Sequence, residues 1–457
     1  MRFFPYGKAA LSILVLAVLS GLWLALQPAQ EHTATLTYWT FAKPHYESYI
    51  QSLPAFERAH PGVTVDLELV SNNALAARMQ SAMLANLDVP DIFEMEIGQA
   101  GALFRGPAKD IGLLDITSRV RAPGPNGTPS LWDRMVQARF APFTNRGSIY
   151  GLPHDVHPVQ LAYRRDIFLK EGIDPEKIKT WDDFIQIGRK LTIPGQRYMI
   201  ELNDSDATML ETMLFQRGGG YFDANGDVIM DNETAVQTMC WYVPLVTGPH
   251  KIANSVGLFN QAETKAAEDG YLLCYICPDW RSKNFENDVA HVSGKMALMP
   301  LPAVAPGARP TSTWGGTMVG ITKHCKVPDL AWQLATFLAE DRAGAVIRFR
   351  ATNILPPVKT LWDLPVIHEP RTYWSGQRLG DTYMRLADDV PAHYTSPVIQ
   401  TATDKLGQAL VDCVRFYNAQ GYVDRGDARF EDYVRARLKK SADQVRAMIA
   451  RDEVLSH

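Results

Sequence analysis

The chain contains 457 residues, a length that is typical of two or three domains. Hydrophobic residues make up 46% of it and charged residues 21%, as in an ordinary globular protein. The formal net charge of −4 at pH 7 argues against the broad basic surface that nucleic-acid-binding proteins carry. We therefore expect no nucleic-acid partner.

The N-terminus has the pattern of an export segment. Arg2 and Lys8 precede an apolar stretch from Ala9 to Leu26, as in a secretory signal or an inward-anchored helix. The stretch is long for a signal core, just short of the ~20 residues of a spanning helix, and followed by a poor cleavage site at 27–29. Residues 1–33 are thus interpreted as a signal peptide or a membrane anchor, with a buried helix as a third interpretation. In the first two cases the chain is exported and works in the periplasm or another extracytoplasmic space.

Five cysteines are an odd number for an exported protein, so at least one is expected to be unpaired. Cys274 and Cys277 form a C-x-x-C pattern that suits redox or zinc chemistry. However, residues 271–277 are predicted to be a buried strand, in which residues three apart point to opposite faces. We interpret these cysteines as small buried hydrophobic side chains. The spacing leaves open the disulfide state of Cys240, Cys274, Cys277, Cys325 and Cys413.

The first part of the chain alternates strands with helices. Strands are predicted at 35–39 and 63–67, helices at about 46–59 and 73–87, and a third strand from 91. This alternation predicts a mainly parallel sheet covered by helices on both faces. Ligands of such sheets bind beyond the carboxyl ends of the strands. Trp39 and the loop 94–99 are therefore expected at one rim.

The second part of the chain also contains strand, turn and helix signals that follow one another. Asn225-Gly226 predicts a hairpin turn, and Gly218 to Gly220 end the helix before it. Helices are predicted at 181–191, 206–217, 232–246 and 328–338, with a largely helical tail over 398–455. A second α/β unit is therefore expected after the first.

Several segments occur in an order that resembles one known family. They are LTYWTF, PDIFEMEIGQAGALF, IYGLPHDVHPVQLAYRRDIFLKEGIDPEKIKTWDDF, RGGGYFDANGDVIMDNETAV, CPDW and PLPAVAPGARPTSTWGGTMVGITKHCKVPDLAWQLATFLA. The order resembles the extracellular solute-binding proteins of ABC-type sugar importers (family 1, maltose-binding-protein-like). The resemblance covers residues 34–360 well and the tail loosely. Each motif alone is weak, but chance would not preserve their spacing over this length.

The resemblance implies a two-lobed α/β fold of the periplasmic-binding-protein type II, each lobe a mainly parallel sheet flanked by helices and joined by hinge strands. Lobe 1 would comprise 34–153 completed by 315–357, lobe 2 would comprise 158–312 completed by 360–457, and hinges would lie near 153–158, 311–318 and 354–359. It further implies a monomeric, non-enzymatic receptor without cofactor or metal. Such a receptor closes around a mono- or oligosaccharide and delivers it to a membrane permease.

Sugar capture needs aromatic rings that stack on pyranose faces, and polar groups that pair with hydroxyls. By position in the family's motifs, the expected ligand contacts are Trp39, Glu96, Gln99, Asp155, Trp280, Trp314, Gly315 and Gly316. For each tryptophan, the alternative to a ligand contact is a position in the hydrophobic core. A hinge residue that bonds backbone amides is the alternative for Asp155, and a solvated loop is the alternative for Glu96 and Gln99. Glu94 is a weaker candidate.

Three other functions stay open from the residues alone. A receptor for an anionic or phosphorylated solute would need convergent cations, for which Arg350 and Lys43 are available. A glycoside-active enzyme would need two carboxylates, for which Glu96 and Asp155 are candidates. A metal receptor would draw on the motif at 154–157, which contains two histidines and an aspartate.

Overall fold

The structure is a computed structural model that describes residues 12–20, 34–85, 89–421 and 427–454. Within these ranges the chain forms two five-stranded sheets and two short hairpin ribbons, 144–149 and 370–378. In chain order the strands of the two sheets are β1 Leu36–Thr40, β2 Val65–Leu69, β3 Ile92–Glu96, β4 Gly151–Pro153, β5 Val159–Arg164, β6 Tyr198–Glu201, β7 Ala253–Asn254, β8 Leu272–Pro278, β9 Met296–Pro300 and β10 Thr317–Ile321.

Helices cover both sheets, as the alternating pattern predicts. They are α1 Lys43–Ala59, α2 Asn72–Ala85, α3 Ile97–Ala100, α4 Thr117–Arg121, α5 Leu131–Arg134, α6 Arg165–Lys170, α7 Trp181–Leu191, α8 Thr208–Gln216, α9 Glu233–Val246, α10 Gln261–Asp269, α11 Asp279–Asp288, α12 Pro328–Glu340, α13 Arg342–Thr352, α14 Leu379–Met384, α15 Ile399–Gln420 and α16 Ala428–Val454.

Local sequence explains where several helices begin and end. Thr180 and Asp183 form a reciprocal capping box at the start of α7, so two otherwise unpaired amides are satisfied. Asn232 caps α9 by accepting from the amide of Ala235. Gly270 ends α10 in the left-handed conformation, which glycine adopts without steric cost.

Each sheet is mixed rather than mainly parallel. The first sheet has the order β2-β1-β3-β10-β4, in which β1 pairs in parallel with β2 and β3, and β10 runs antiparallel to β3 and β4. The second has the order β9-β5-β8-β6-β7, in which β5 runs antiparallel to β8 and β9. The antiparallel strands β5 and β10 directly follow passages of the chain from one sheet to the other. They are not reached through the helical crossovers that keep strands parallel.

The two sheets build two lobes, and the chain passes between them three times. The first passage joins β4 to β5 over residues 154–158, and the second precedes β10, where Pro158 bridges Thr313. The third follows α13, where the amide of Leu355 donates to Asp279 of α11 at 2.8 Å. All three passages lie beside one another, so they form one hinge region.

The tail packs mainly on the second lobe. Helices α15 and α16 pack against each other and against α9, and their buried residues belong to the same core as β5, β6 and β8. Helix α15 also contacts α3 of the first lobe. Helix α13, by contrast, packs on α1 and so completes the first lobe.

Part of the predicted export segment is described. Residues 12–20 form a helix with exposed apolar side chains, and the remainder of 1–33 lies outside the described residues. Among the described helices, none is both long enough and apolar enough to span a bilayer. The five cysteines are free thiols, and Cys274 and Cys277 are buried in β8, as predicted.

Candidate functional site

Asp155 lies at the centre of the hinge region. Its side chain is only 1% exposed. One carboxylate oxygen accepts from Arg139 Nη2 at 2.7 Å; the other accepts from the amide of Thr317 at 2.8 Å and lies 3.1 Å from His157 Nε2. Burial disfavours the charge, but His157 and Arg139 hold the pKa of Asp155 well below its usual value. Asp155 is thus an ionised clamp between the first two passages.

His157 extends this network to the third passage. Its Nδ1 atom lies 2.6 Å from Oδ1 of Asp279, whose other oxygen accepts from Leu355. Burial opposes protonation of the imidazole, but the flanking carboxylates of Asp155 and Asp279 raise the pKa of His157 to about 9. A protonated His157 therefore holds two carboxylates together in the hinge. The sequence showed this residue only as a possible metal ligand.

Two glycines let the second passage approach this network closely. A Cβ atom on Gly316 would lie 2.1 Å from Arg139 Nη2, so no side chain fits there. A Cβ atom on Gly315 would lie 3.3 Å from Trp280 Nε1, and the residue has a φ of +80°, which favours glycine. Both glycines therefore serve close packing in the hinge, beside the predicted aromatic residues.

Trp280 and Trp314 meet next to the hinge. Their ring centroids lie 5.1 Å apart in an edge-to-face arrangement, and Trp280 Nε1 donates to the carbonyl of Trp314 at 3.1 Å. Phe259 joins them, with centroids 5.8 Å and 6.3 Å away. The two tryptophans are half-buried and Phe259 is 56% exposed. We call these three residues the aromatic surface. Phe259 was not predicted; its only signal in the sequence is a large apolar residue in the loop just before the Asn260 cap of α10.

Glu96 and Gln99 form the rim of the first lobe. Glu96 ends β3 and accepts from the amide of Gly98 at 2.7 Å, which caps the short helix α3. Gln99 donates to the carbonyl of Asn72 at 3.3 Å, and its Oε1 atom is buried without a partner among the described residues. The amide of Ile97 donates to the carbonyl of Gly316, so the rim is tied to the hinge.

Glu211 of the second lobe belongs to the same electrostatic environment. Burial and the negative charges of Glu211 and Asp155 together raise the pKa of Glu96 to about 7, although the Gly98 amide and His157 oppose this. Burial also raises the pKa of Glu211 to about 7, although it accepts from the hydroxyl of Tyr221 at 2.6 Å. Sequence analysis missed Glu211; an acidic residue in the first turn of α8, after the polar loop 203–206, was the available signal.

Trp39 does not join the residues of the rim, the hinge or the aromatic surface. It is 5% exposed in the core of the first lobe, and the guanidinium of Arg78 lies 3.8 Å from its ring centroid. It borders a surface hollow with Asp91 and Lys326, at the opposite end of the sheet from Glu96. The position of Trp39 thus agrees with the alternative interpretation of this residue as part of the core.

Glu94 is also in the interior, not on the rim. It is fully buried and accepts from the hydroxyls of Tyr38, Tyr49 and Thr40. Burial opposes ionisation, but His45, 3.0 Å away, together with His154 and the hydroxyl of Thr40 lowers the pKa of Glu94 to about 2. Glu94 therefore anchors helix α1 to the sheet.

The histidines of the motif at 154–157 separate into two networks. His154 stacks on His45, with ring centroids 4.1 Å apart, while His157 bonds within the hinge. In the described part of the chain, His45, Glu94 and His154 lie close enough to share an ion, with ligand atoms within 4.8 Å of one another. However, both oxygens of Glu94 already accept hydrogen bonds. Both ring nitrogens of His154 are buried and have no hydrogen-bond partner among the described residues. His154 and His157 lie in separate networks, so the motif at 154–157 does not converge on one metal.

Comparison with known proteins identifies the family. The family model for bacterial extracellular solute-binding proteins matches residues 42–345, two thirds of the chain. The chain belongs to the bacterial extracellular solute-binding protein family. The resemblance found in the sequence is thereby confirmed, and members of this family are solute-binding proteins that work outside the cell's cytoplasm.

Relatives of this solute-binding protein match along most of its length. The arabinooligosaccharide-binding protein of Bacillus subtilis (strain 168) is 25% identical over 418 residues, covering 88% of this chain and 92% of the relative. A protein of the same name from Halalkalibacterium halodurans is 24% identical over 370 residues, covering 79% and 80%. The sugar-binding protein MalE from Xanthomonas citri superposes with a TM-score of 0.73 at 16% identity, covering 91% of this chain and 99% of MalE. This likeness confirms the two-lobed type II fold.

Proposed function

We propose that this solute-binding protein captures a carbohydrate between its lobes and presents it to an ABC-type permease. The observation that carries the proposal is the aromatic surface of Phe259, Trp280 and Trp314, which stays half-exposed beside the hinge. Large aromatic side chains are normally buried unless they have a partner to contact. The names of the two arabinooligosaccharide-binding relatives support a sugar as that partner.

Polar groups of the rim and of α8 suit sugar hydroxyls. Glu96 and Gln99 offer oxygen atoms from the first lobe, and Glu211 offers a carboxyl from the second. A sugar ring stacked on Trp280 would accept and donate hydrogen bonds on both sides, so its contacts would be complete only with the lobes closed. In this proposal Asp155, Gly315 and Gly316 set the geometry of closure and do not contact the ligand.

The proposal includes no catalysis. A glycoside-cleaving enzyme needs two carboxyl groups that flank the bond. The candidate pair was Glu96 and Asp155, but the carboxylate of Asp155 is enclosed by Arg139, Thr317 and His157. It therefore has no free oxygen to offer a substrate.

An anionic solute has less support. Lys43 lies at the surface near Glu47, and Arg350 lies at the surface 3.4 Å from Glu369. Both cations thus pair at the surface. Beside the aromatic surface lies the cation Arg281, whose guanidinium is 5.2 Å from the ring centroid of Trp314 and already binds Glu201 and Glu263. The remaining parts of the proposal are export, through the segment 1–33, and action as a monomer.

A thermal-shift screen against neutral sugars, sugar acids and sugar phosphates tests the proposal. A ligand at 100 times its dissociation constant stabilises the folded state by about 2.7 kcal/mol, which is readily measured. We expect stabilisation by neutral sugars. Stabilisation by phosphorylated or acidic sugars alone would favour the anionic alternative, and a flat response to every carbohydrate would refute the proposal.

A further inference from the structure

His45, Glu94 and His154 come together on one face of the first sheet. Glu94 of β3 and Leu152 of β4 both pair with Val319 of the strand between them, so their side chains point to the same face. His154 follows Leu152 by two residues, and strand alternation brings it to this face as well. Helix α1 contributes His45, whose ring stacks on that of His154 with centroids 4.1 Å apart. Three separate elements therefore supply this group.

The ligand atoms of the group are close enough to share one ion. They lie within 4.8 Å of one another. His45 Nδ1 is 3.0 Å from Glu94 Oε2, and His154 Nε2 is 4.0 Å from Glu94 Oε1. In a four-coordinate zinc centre the ligand atoms lie about 2.0–2.2 Å from the ion and hence about 3.3 Å from each other. The side chains of His45, Glu94 and His154 are 6%, 0% and 8% exposed, so an ion between them would be shielded from water.

His154 is the residue whose surroundings point to a bound ion. Both of its ring nitrogens are buried and have no hydrogen-bond partner in the part of the chain that the structure describes. Oxygens of Glu94 and Asp155 lie 4.0 Å and 3.9 Å from these nitrogens, too far for direct hydrogen bonds. A neutral imidazole carries one donor and one acceptor, and burying both of them unpaired is unfavourable. An ion held between His154 and Glu94 would satisfy one of these nitrogens.

Glu94 can bind an ion and keep the hydrogen bonds from its hydroxyl donors. Oε1 accepts from Tyr38 and Tyr49, and Oε2 accepts from Thr40. Oε2 also shares a hydrogen bond with His45 Nδ1. A metal ion in place of that hydrogen would be held by both atoms, and the proton would leave to solvent or move to the other ring nitrogen. The three hydroxyls would then fix the carboxylate, as outer partners of metal-binding carboxylates do.

A cavity of about 20 Å³ beside His154 has room for one water molecule. Tyr49 and Arg348 also line it, together with apolar side chains. Zinc that is bound by three protein side chains takes water or another group as its fourth ligand. Because the positive charge of Arg348 disfavours a second cation in this cavity, the cavity suits a water molecule.

We propose that His45, Glu94 and His154 bind one zinc ion inside the first lobe. Zinc favours imidazole nitrogen and carboxylate oxygen, whereas calcium and magnesium take oxygen ligands. The ion would fasten the start of the first hinge passage, at His154, to β3 and α1. This site differs from a metal site at 154–157, because only His154 of that motif takes part. It needs no sugar, so it does not depend on the proposed function.

Isothermal titration of the full chain with zinc chloride tests the inference. The protein is made without a histidine tag and treated with a chelator, which is then removed by dialysis. We expect one zinc ion per chain. Zinc should also raise the melting temperature, because it binds the folded state more tightly than the unfolded one. Magnesium and calcium at the same concentration should have neither effect.

Two site variants and a control make the titration specific. His154→Phe removes both nitrogens and keeps a ring against His45, and it should lower the zinc affinity about 100-fold or more. Without zinc this variant should melt no lower than the wild type, because His154 has no hydrogen bond to lose among the described residues. His45→Gln keeps a donor for Glu94 and should also lose zinc, which tests the site if His154→Phe folds poorly. His291→Gln is the matched control, since His291 is exposed and lies in the second lobe.

One zinc ion per chain that both site variants lose and His291→Gln keeps would support the proposed site. A wild type that does not bind zinc would overturn the inference. Binding that His154→Phe and His45→Gln leave unchanged would overturn it too, because other groups would then hold the ion. An equal loss of affinity in His291→Gln would have the same meaning.

Discussion

The Nε2 atom of His157 lies 3.1 Å from Oδ2 of Asp155, and both side chains are almost fully buried in the hinge. The other ring nitrogen faces Asp279 at the start of α11, so one imidazole joins the carboxylate of the first passage to the carboxylate that accepts from Leu355 of the third. This arrangement makes the protonation of one histidine part of what holds the lobes together. Its consequences can be measured without knowledge of the ligand.

The free energy of unfolding should decrease as the pH rises from about 6.5 to about 9. The two carboxylates overcome the effect of burial and raise the pKa of His157 to about 9, whereas in the unfolded chain it is about 6.5. Below about 6.5 both states are protonated and the full contribution is present; above 9 it is lost. The expected loss is on the order of 3 kcal/mol. Urea unfolding at a series of pH values measures it.

His157→Gln is the control for this prediction. Other groups also titrate in this range, including Glu96 and Glu211, so the difference between wild type and variant isolates the histidine. The variant should be less stable near pH 6.5 and lose the His157 part of the slope. Parallel curves for the two proteins would contradict the assigned role.

Trp280→Ala should weaken sugar binding by roughly 1.5 to 3 kcal/mol and leave the fold intact, because the ligand loses a large ring surface. Trp280 is half-buried, and its indole nitrogen donates to the carbonyl of Trp314. Trp332→Ala is the matched control, since Trp332 is also half-buried but lies on α12 of the first lobe. Equal affinities for wild type and Trp280→Ala would place the ligand elsewhere.

Glu211→Gln should raise the melting temperature at pH 8 and change it little at pH 4. Burial raises the pKa of the folded-state carboxyl to about 7, whereas the unfolded value is about 4.3. Stability is therefore lost as the pH rises between these values, and a neutral amide avoids that loss while it still accepts from Tyr221. Calorimetry at the two pH values measures the effect. A lower melting temperature at pH 8 would show that the charged form is stabilised.

The parts of the site that the sequence predicted are those carried by short motifs. Trp314 is followed directly by the two glycines, and Trp280 meets it, so positions in the family's motifs were enough to predict that these residues lie together. Their contact with a ligand stays a prediction. The contact of His157 with Asp279 joins residues more than a hundred positions apart, and no local pattern records it. Such pairs are set by the topology of the passages between lobes.

For Trp39 the local motif predicted a ligand contact, but the structure places the residue in the core of the first lobe. Strand β1 lies inside the first sheet, between β2 and β3, and both Tyr38 and Trp39 are buried. In a strand that is covered on both faces, alternation no longer distinguishes a core residue from a rim residue. The sheets were predicted to be mainly parallel but are mixed. Alternation of helices and strands does not show the direction of a strand that the chain enters from the other lobe.

Incubation of the purified protein with any sugar that it binds should return that sugar unchanged. The carboxylate of Asp155 is committed to Arg139, Thr317 and His157, so it has no oxygen free to serve as nucleophile or base. Chromatography of the sugar after long incubation measures this. Turnover that disappears in Glu96→Gln would place the protein among enzymes, whereas turnover that persists in this variant would indicate a contaminant.

Closure of the lobes should be visible in solution. Because a ligand that touches both lobes binds the closed form better, saturating sugar should reduce the radius of gyration by about an ångström, as measured by small-angle X-ray scattering. Gly316→Ala should diminish this change, since the new Cβ atom would lie 2.1 Å from Arg139 Nη2 and displace the guanidinium that binds Asp155. Gly307→Ala is the matched control, because that glycine also has a positive φ but no atom lies within 4 Å of the added carbon. If Gly316→Ala closes as fully as the control, the contact between Arg139 and Asp155 does not govern the hinge; if the wild type keeps its radius with ligand bound, the sugar does not bind across the lobes.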